Sequence, residues 1–119
     1  MHGAVMISWG ANVPGREATG IEVFGGALQR FETMTKQGRL EGHREYFSIT
    51  GRDGGFMLLE GEVEELTKIL SEEETLKLNS RASAVVEDFS IQAFVGGTDN
   101  TTQELIGTYT SSLKDIGFM

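Results

Sequence analysis

His43 is the side chain best suited to acid–base work, because an unperturbed imidazole titrates near pH 6.5. Strand alternation puts it on the same side as Glu45 and Phe47. If that side faces helices, His43 sits partly exposed at a sheet edge, and a lone histidine there serves structure as readily as catalysis. Arg44, Tyr46 and Ser48 alternate onto the opposite side, where Ser90 and Gln92 of a later strand join them. An arginine there can hold a carboxylate, and a tyrosine hydroxyl can donate to a developing oxyanion. The same pair equally suits hydrogen bonding across a subunit interface. Trp9, the only tryptophan, fits a packed core or interface, or the wall of a ligand pocket. Glu87 interrupts an otherwise apolar strand face, where it pairs with a base or marks a bulge. No second carboxylate stands beside it, so a paired-carboxylate mechanism is unsupported.

Other chemistries find no motif. Two scattered histidines give no metal-ligand spacing, and the absence of cysteine removes thiolate ligands, thiol nucleophiles and disulfides. The glycines of Gly51-Arg52-Asp53-Gly54-Gly55 join two strands and lack the helix start that phosphate binding uses. No cofactor is expected, and no catalytic residue is assigned. A net charge of −8, from 18 acids against 10 bases, argues against nucleic-acid binding, which needs Lys and Arg to displace counterions. No run approaches the roughly 20 apolar residues of a membrane span. The segment Met1–Trp9 lacks the basic start and the apolar length of a signal peptide, so the expectation is a cytoplasmic protein with no membrane partner.

The elements that must position these residues follow from periodicity. Residues 4–12 read as a strand, with Val5, Ile7 and Trp9 on one face. Pro14-Gly15 leads into a helix over 16–37, striped by Ile21, Phe24, Leu28, Phe31 and Thr35 and stopped at Gly38. Gly25-Gly26 weakens that helix by roughly 1 kcal/mol per glycine, and a close approach to the sheet or to a partner helix would explain the pair. Residues 39–50 read as the second strand. Phe56–Leu59 follows as a short strand, apolar on both faces and therefore central. A helix over 62–71 leads to a second helical piece, opened by the capping box Ser71–Glu74 and reaching about Ser83. Residues 84–95 form the fourth strand. A second capping box, Thr101–Glu104, opens a last helix with Leu105, Tyr109, Leu113 and Ile116 on one side.

Strand, helix, strand, strand, helix, strand is the split β-α-β order. It predicts an α+β, ferredoxin-like βαββαβ domain spanning residues 1–119: a four-stranded antiparallel sheet with both main helices on one face, and an added C-terminal helix. Val5, Ile7, Phe47, Ile49, Phe89 and Ile91 suit the helix side. The other side mixes Met6, Ser8, Arg44, Tyr46, Ser48, Ser90, Gln92 and Phe94, too apolar to lie comfortably in water. A second copy placed face to face would cover it and enclose a mixed polar and apolar space, as a homodimer. The final helix folding over the sheet is the alternative.

The segments Trp9-Gly10…Pro14-Gly15-Arg16-Glu17…Val23-Phe24, Gly38-Arg39-Leu40-Glu41 and Gly54-Gly55-Phe56-Met57-Leu58-Leu59-Glu60-Gly61 resemble a family of small uncharacterised bacterial proteins among the dimeric α+β barrels. The resemblance covers most of the chain and implies the fold and the paired assembly. The wider superfamily includes cofactor-free monooxygenases of antibiotic biosynthesis, haem-degrading enzymes, muconolactone isomerase and stress-responsive barrel proteins, so it implies no one reaction. The haem degraders use an asparagine, a tryptophan and a histidine. Asn12, Trp9, His2 and His43 do not match them residue by residue, and that activity is not carried over. Three functions stay open: a homodimeric module binding a small molecule between paired sheets, a cofactor-free monooxygenase or isomerase using Tyr46, Arg44 and His43, and a protein acting through association alone.

Overall fold

The computed structural model describes residues 1–51 and 54–119; Arg52 and Asp53 of the expected 51–55 turn lie outside the described residues. The elements run β1 (His2–Trp9), α1 (Glu17–Lys36), β2 (Gly42–Phe47), β3 (Gly55–Glu62), α2 (Val63–Ser71), α3 (Glu73–Val85), β4 (Ser90–Val95) and α4 (Asp99–Asp115). The sheet is antiparallel in the order β2-β3-β1-β4. This is the expected ferredoxin-like order with an added C-terminal helix.

Register assigns the two faces. Arg44, Leu58, Met6 and Gln92 form one row across the sheet, and Tyr46, Phe56, Ser8 and Ser90 the next. Both rows lie on the face turned from α1–α3, as alternation predicts. On the helix side, Val5, Ile7, Met57 and Leu59 meet Phe31 and Met34 of α1 and Leu66 and Ile69 of α2 in one core. Phe31 is 1% exposed, and burying a side chain of this size contributes about 1.5–3 kcal/mol. The interior position of β3 accounts for its apolar character on both faces.

Several boundaries depart from the sequence reading. Helix α3 continues to Val85, and β4 starts only at Ser90. Val86, in extended conformation, ends the helix, and Asp88, at φ 56°, re-aims the chain into β4. Glu87 consequently sits in this connection, not on a strand face; its carbonyl accepts from Gly10 N at 2.7 Å. Arg39 and Leu40 belong to the α1 exit, where Gly38 takes φ 77° and Arg39 N donates to the Met34 carbonyl. Ile49 lies beyond β2 and is exposed, not on the core side. Neither capping box forms as spaced. Ser71 Oγ donates to the Lys68 carbonyl, and Glu72 caps α3 without a side-chain bond. Thr98, not Thr101, caps α4, its hydroxyl accepting from Thr101 N at 3.2 Å. In α1 the buried residues are Gly20, Phe31 and Met34, while Ile21 is exposed. Among the described residues, a Cβ at Gly25 or Gly26 would meet nothing within 4 Å, so no close approach to them explains that pair.

Arg39 ties the helices together, donating from Nε to Glu65 at 2.7 Å and from a terminal nitrogen to Glu72 at 2.9 Å. Helix α4 has no extensive packing against any other element. The radius of gyration is 17.0 Å, against about 13–14 Å for a compact domain of this length.

Candidate functional site

Between the sheet and helices α1 and α3 lies a cavity of about 410 Å³. Past Trp9, residues 10–13 leave the sheet and pair with the α3–β4 connection. Glu87 N donates to the Ala11 carbonyl, Val13 N donates to the Val85 carbonyl, and Asn12 bridges Val86. This pairing ties the end of α3 to the extension of β1, and large side chains line the space between the sheet and the helices.

Trp9, Phe24 and Phe47 form the cavity's aromatic corner. Their rings meet edge to face, with centroids 5.5 Å apart for Trp9–Phe24, 6.1 Å for Trp9–Phe47 and 5.6 Å for Phe24–Phe47. Such pairs contribute about 0.5–1.5 kcal/mol each beyond the area they bury. Phe47 is nonetheless 61% exposed and, with exposed Ile21, stands at the rim. Among the described residues, the polar side chains of the lining are Asn12 and Asn79. Asn12 lies over the first turns of α1, where Gly20 has no side chain. A Cβ there would stand 2.7 Å from Asn12 Oδ1. The rest of the lining, including Met57, Leu78 and Phe89, is apolar, and among the described residues it carries no titratable side chain.

Of the residues singled out from sequence, only Trp9 lines this cavity. His43 stands at the edge strand, as expected, with Nδ1 2.7 Å from Glu45 and Nε2 2.6 Å from Glu32. Both acceptors are carboxylates, so the imidazolium, with two N–H groups, satisfies them best. Burial pushes the His43 pKa down, and the hydrogen bonds to Glu45 and Glu32 more than offset that, leaving it above the ordinary histidine value. This arrangement ties β2 to α1.

Arg44, Tyr46, Ser90 and Gln92 share the outer face, all exposed. There Arg44 pairs with Glu60, and Tyr46 stacks on Phe56 with centroids 4.9 Å apart. Ser48 lies past the end of β2, its backbone N–H donating to the Gly54 carbonyl at 2.9 Å. The structure thus brings Arg44 and Tyr46 onto adjacent rows, leaves Ser48 outside the sheet, and separates Arg44, Tyr46, Ser90 and Gln92 from Trp9 by the thickness of the sheet.

Sequence reasoning weighed Asn12 only in the comparison with the haem degraders, and it missed Asn79 and the rim role of Phe24 and Phe47. The one available signal was two amide residues beside apolar runs, Asn12 three residues after Trp9 and Asn79 directly after Leu78. His2 too was weighed only in that comparison, and its structural role was not seen. That ring is buried, with Nδ1 donating to the Gly96 carbonyl at 2.6 Å and Nε2 to Glu41 at 2.9 Å. The Gly96 bond first, and then Glu41, raise its pKa against the opposing effect of burial. Among the described residues no group of three His, Asp or Glu side chains is placed to hold a metal ion, and no helix is long and apolar enough to cross a membrane.

No family model and no curated protein matches the chain. Solved structures do. SnoaB, a cofactor-independent oxygenase from Streptomyces nogalater, is 13% identical with a TM-score of 0.59, over 82% of this chain and 94% of that one. A dimeric ferredoxin-like protein of unknown function from Thermobifida fusca is 9% identical with a TM-score of 0.58, over 78% and 90%. A dimeric protein of unknown function and ferredoxin-like fold from Bacteroides fragilis is 7% identical with a TM-score of 0.53, over 76% and 93%. At these identities the likeness is one of fold. The chain is a ferredoxin-like α+β protein, built on the architecture that this oxygenase and these dimers share.

Proposed function

We propose that the chain acts as a homodimeric small-molecule-binding domain, whose ligand is a largely apolar, ring-containing compound held between the sheet and helices α1 and α3. The observation that carries the reading is the aromatic-cornered cavity of about 410 Å³, inside the roughly 300–1,000 Å³ range of ligand pockets. Its apolar lining supplies the binding energy, and the amides of Asn12 and Asn79 orient a carbonyl, hydroxyl or anionic substituent. A lining without titratable side chains among the described residues favours binding over general acid–base catalysis.

Pairing is supported by the outer sheet face, where Met6, Phe56 and Leu58 stay half-exposed in one chain and Phe94 is exposed, and by the dimeric neighbours. Arg44, Tyr46, Ser90 and Gln92 would then stand between the two sheets, where they hydrogen-bond across the interface or line a second, more polar space. Residues 1–119 act as one domain in this reading, in the cytoplasm.

A second reading, a cofactor-free oxygenase working in the same cavity, draws on the SnoaB fold likeness. It requires oxygen uptake dependent on the bound compound.

The test uses Trp9 as a reporter. Titrating 8-anilinonaphthalene-1-sulfonate into the full chain should transfer Trp9 excitation to the dye, because the indole forms part of the cavity wall. Ala82→Phe, which fills the cavity from α3, should abolish the transfer while the fold is retained by circular dichroism. Unchanged transfer in that variant would refute the cavity as the binding site.

A further inference from the structure

We infer that α4 is an exchanged arm, packing its apolar face on a second copy of this chain and not on its own body. The inference rests on the pairing proposed above and adds what completes it.

Helix α4 presents two unlike faces. Leu105, Ile106, Tyr109, Leu113 and Ile116 fall within about 100° of one another on a helical projection. Ile106 is 53% exposed and Tyr109 and Ile116 are each 66% exposed. Leu105 and Leu113 on that face are half-buried, and the side bordering Met1, made by Glu104, Gly107, Thr108, Ser111 and Ser112, is exposed. Thr101 at the root is the one fully buried residue of α4, so the helix beyond its first turn is not covered by its own chain.

The root of the arm is nonetheless fixed. Gly96 N donates to the His2 carbonyl at 3.0 Å, the His2 ring donates back to the Gly96 carbonyl, and His2 N donates to Thr101 Oγ1 at 3.1 Å. Gly97, at φ 88°, passes so close to the ring that a Cβ would sit 2.9 Å from His2 Nδ1. His2 alternates with Ala4, Met6 and Ser8, so this turn crosses the outer face of the sheet. The arm therefore starts on the face that a second copy would cover.

Area and charge both point to a second copy as the occupant. Four strands about 4.8 Å apart and six residues long offer a flat footprint of only about 400 Å², half of the roughly 800 Å² per partner that stable pairs bury. An arm of 17 residues is about 25 Å long and about 10 Å wide. In a two-fold pair each copy both gives and receives one, which brings the footprint to about 900 Å². The chain carries a net charge of −8, yet the arm's apolar face holds no charged residue and Arg44 on the sheet is paired with Glu60. Two copies thus meet on surfaces that spare them like-charge repulsion.

Sedimentation equilibrium of the full chain tests this. The double variant Ile106→Asp with Tyr109→Asp changes side chains that are solvent-exposed in the single chain, so the monomer should fold unchanged by circular dichroism. Its dimer dissociation constant should rise at least about 100-fold, because each substitution acts twice in a two-fold pair. If the double variant pairs as tightly as the parent while Leu58→Glu on the sheet prevents pairing, the arm inference fails and the sheet pairing stands. A parent that stays at its chain mass of 13.0 kDa up to about 100 μM overturns both, leaving cavity binding to the dye titration. Strong amide-exchange protection of α4 in dilute, monomeric samples would place the arm on its own body and also overturn the inference.

Discussion

Replacing Gly20 with alanine puts a methyl group 2.7 Å from Asn12 Oδ1, roughly 0.7 Å inside ordinary contact of about 3.4 Å. The group that must yield is the far end of a side chain, so Asn12 turns away while the backbone holds. Two energies then oppose each other. Alanine in a helix interior is favoured over glycine by about 1 kcal/mol, and driving Asn12 off its rotamer costs about 0.5–1.5 kcal/mol. Stability should therefore change little. Gly25→Ala and Gly26→Ala provide the comparison, since no described residue lies within 4 Å of either new methyl. Each should gain the full increment of about 1 kcal/mol. Binding should separate the three variants further. Losing one amide hydrogen bond of about 0.5–1.5 kcal/mol weakens the dye by about 2- to 10-fold in Gly20→Ala alone. Urea unfolding gives the first quantity and the Trp9 transfer titration the second. A Gly20→Ala protein as stabilised as Gly25→Ala, with parental dye affinity, would refute the placement of Asn12 at the site.

Stability should fall as pH rises above about 6.5, the unperturbed histidine value. The folded-state pKa values of His2 and His43 are both raised, so their contribution is complete below the unfolded value and is lost as pH climbs through the folded ones. Urea midpoints between about pH 5.5 and 9 would show it, and His2→Gln with His43→Gln should flatten the slope; an unchanged slope would contradict the imidazolium assignment. Phe31→Ala should cost about 3–5 kcal/mol, because that ring is almost fully buried between α1 and the sheet; a loss under about 1 kcal/mol would mean the core is looser than described. Gly55→Ala should cost at least about 2 kcal/mol, since its Cβ would run into the Tyr46 carbonyl oxygen of the neighbouring strand. That variant should also weaken dye binding, by displacing Phe47.

The element order, the strand parities and the placement of Arg44, Tyr46, Ser90 and Gln92 on one face were legible in the sequence, because alternation has a period of two and survives errors at strand ends. The ends themselves were not. Residues 84–89 carry Val85, Val86 and Phe89 at spacings that suit a strand, yet Val85 closes α3 and Asp88 turns the chain with a positive φ that no pattern announces. The candidate site was less legible than the fold. Its walls come from the helix side of β1, from α1 and from the end of α3, and Asn12 and Asn79 join them only through the pairing of residues 10–13 with the segment after α3. Asparagine marks no face by itself, and that long-range pairing has no periodic trace. His2 was passed over for a similar reason: its partners Glu41 and Gly96 are 39 and 94 residues away.

The sheet order leaves β4 with β1 on one side only. Its sequence, Ser90-Ile91-Gln92-Ala93-Phe94-Val95, is six residues without a charge or a proline, the composition that recruits further strands into fibrils when a backbone edge lies open. Acidic residues bracket it, Glu87 and Asp88 before and Asp99 after. They repel an approaching identical strand at both ends, so part of the chain's surplus negative charge protects against aggregation at this margin.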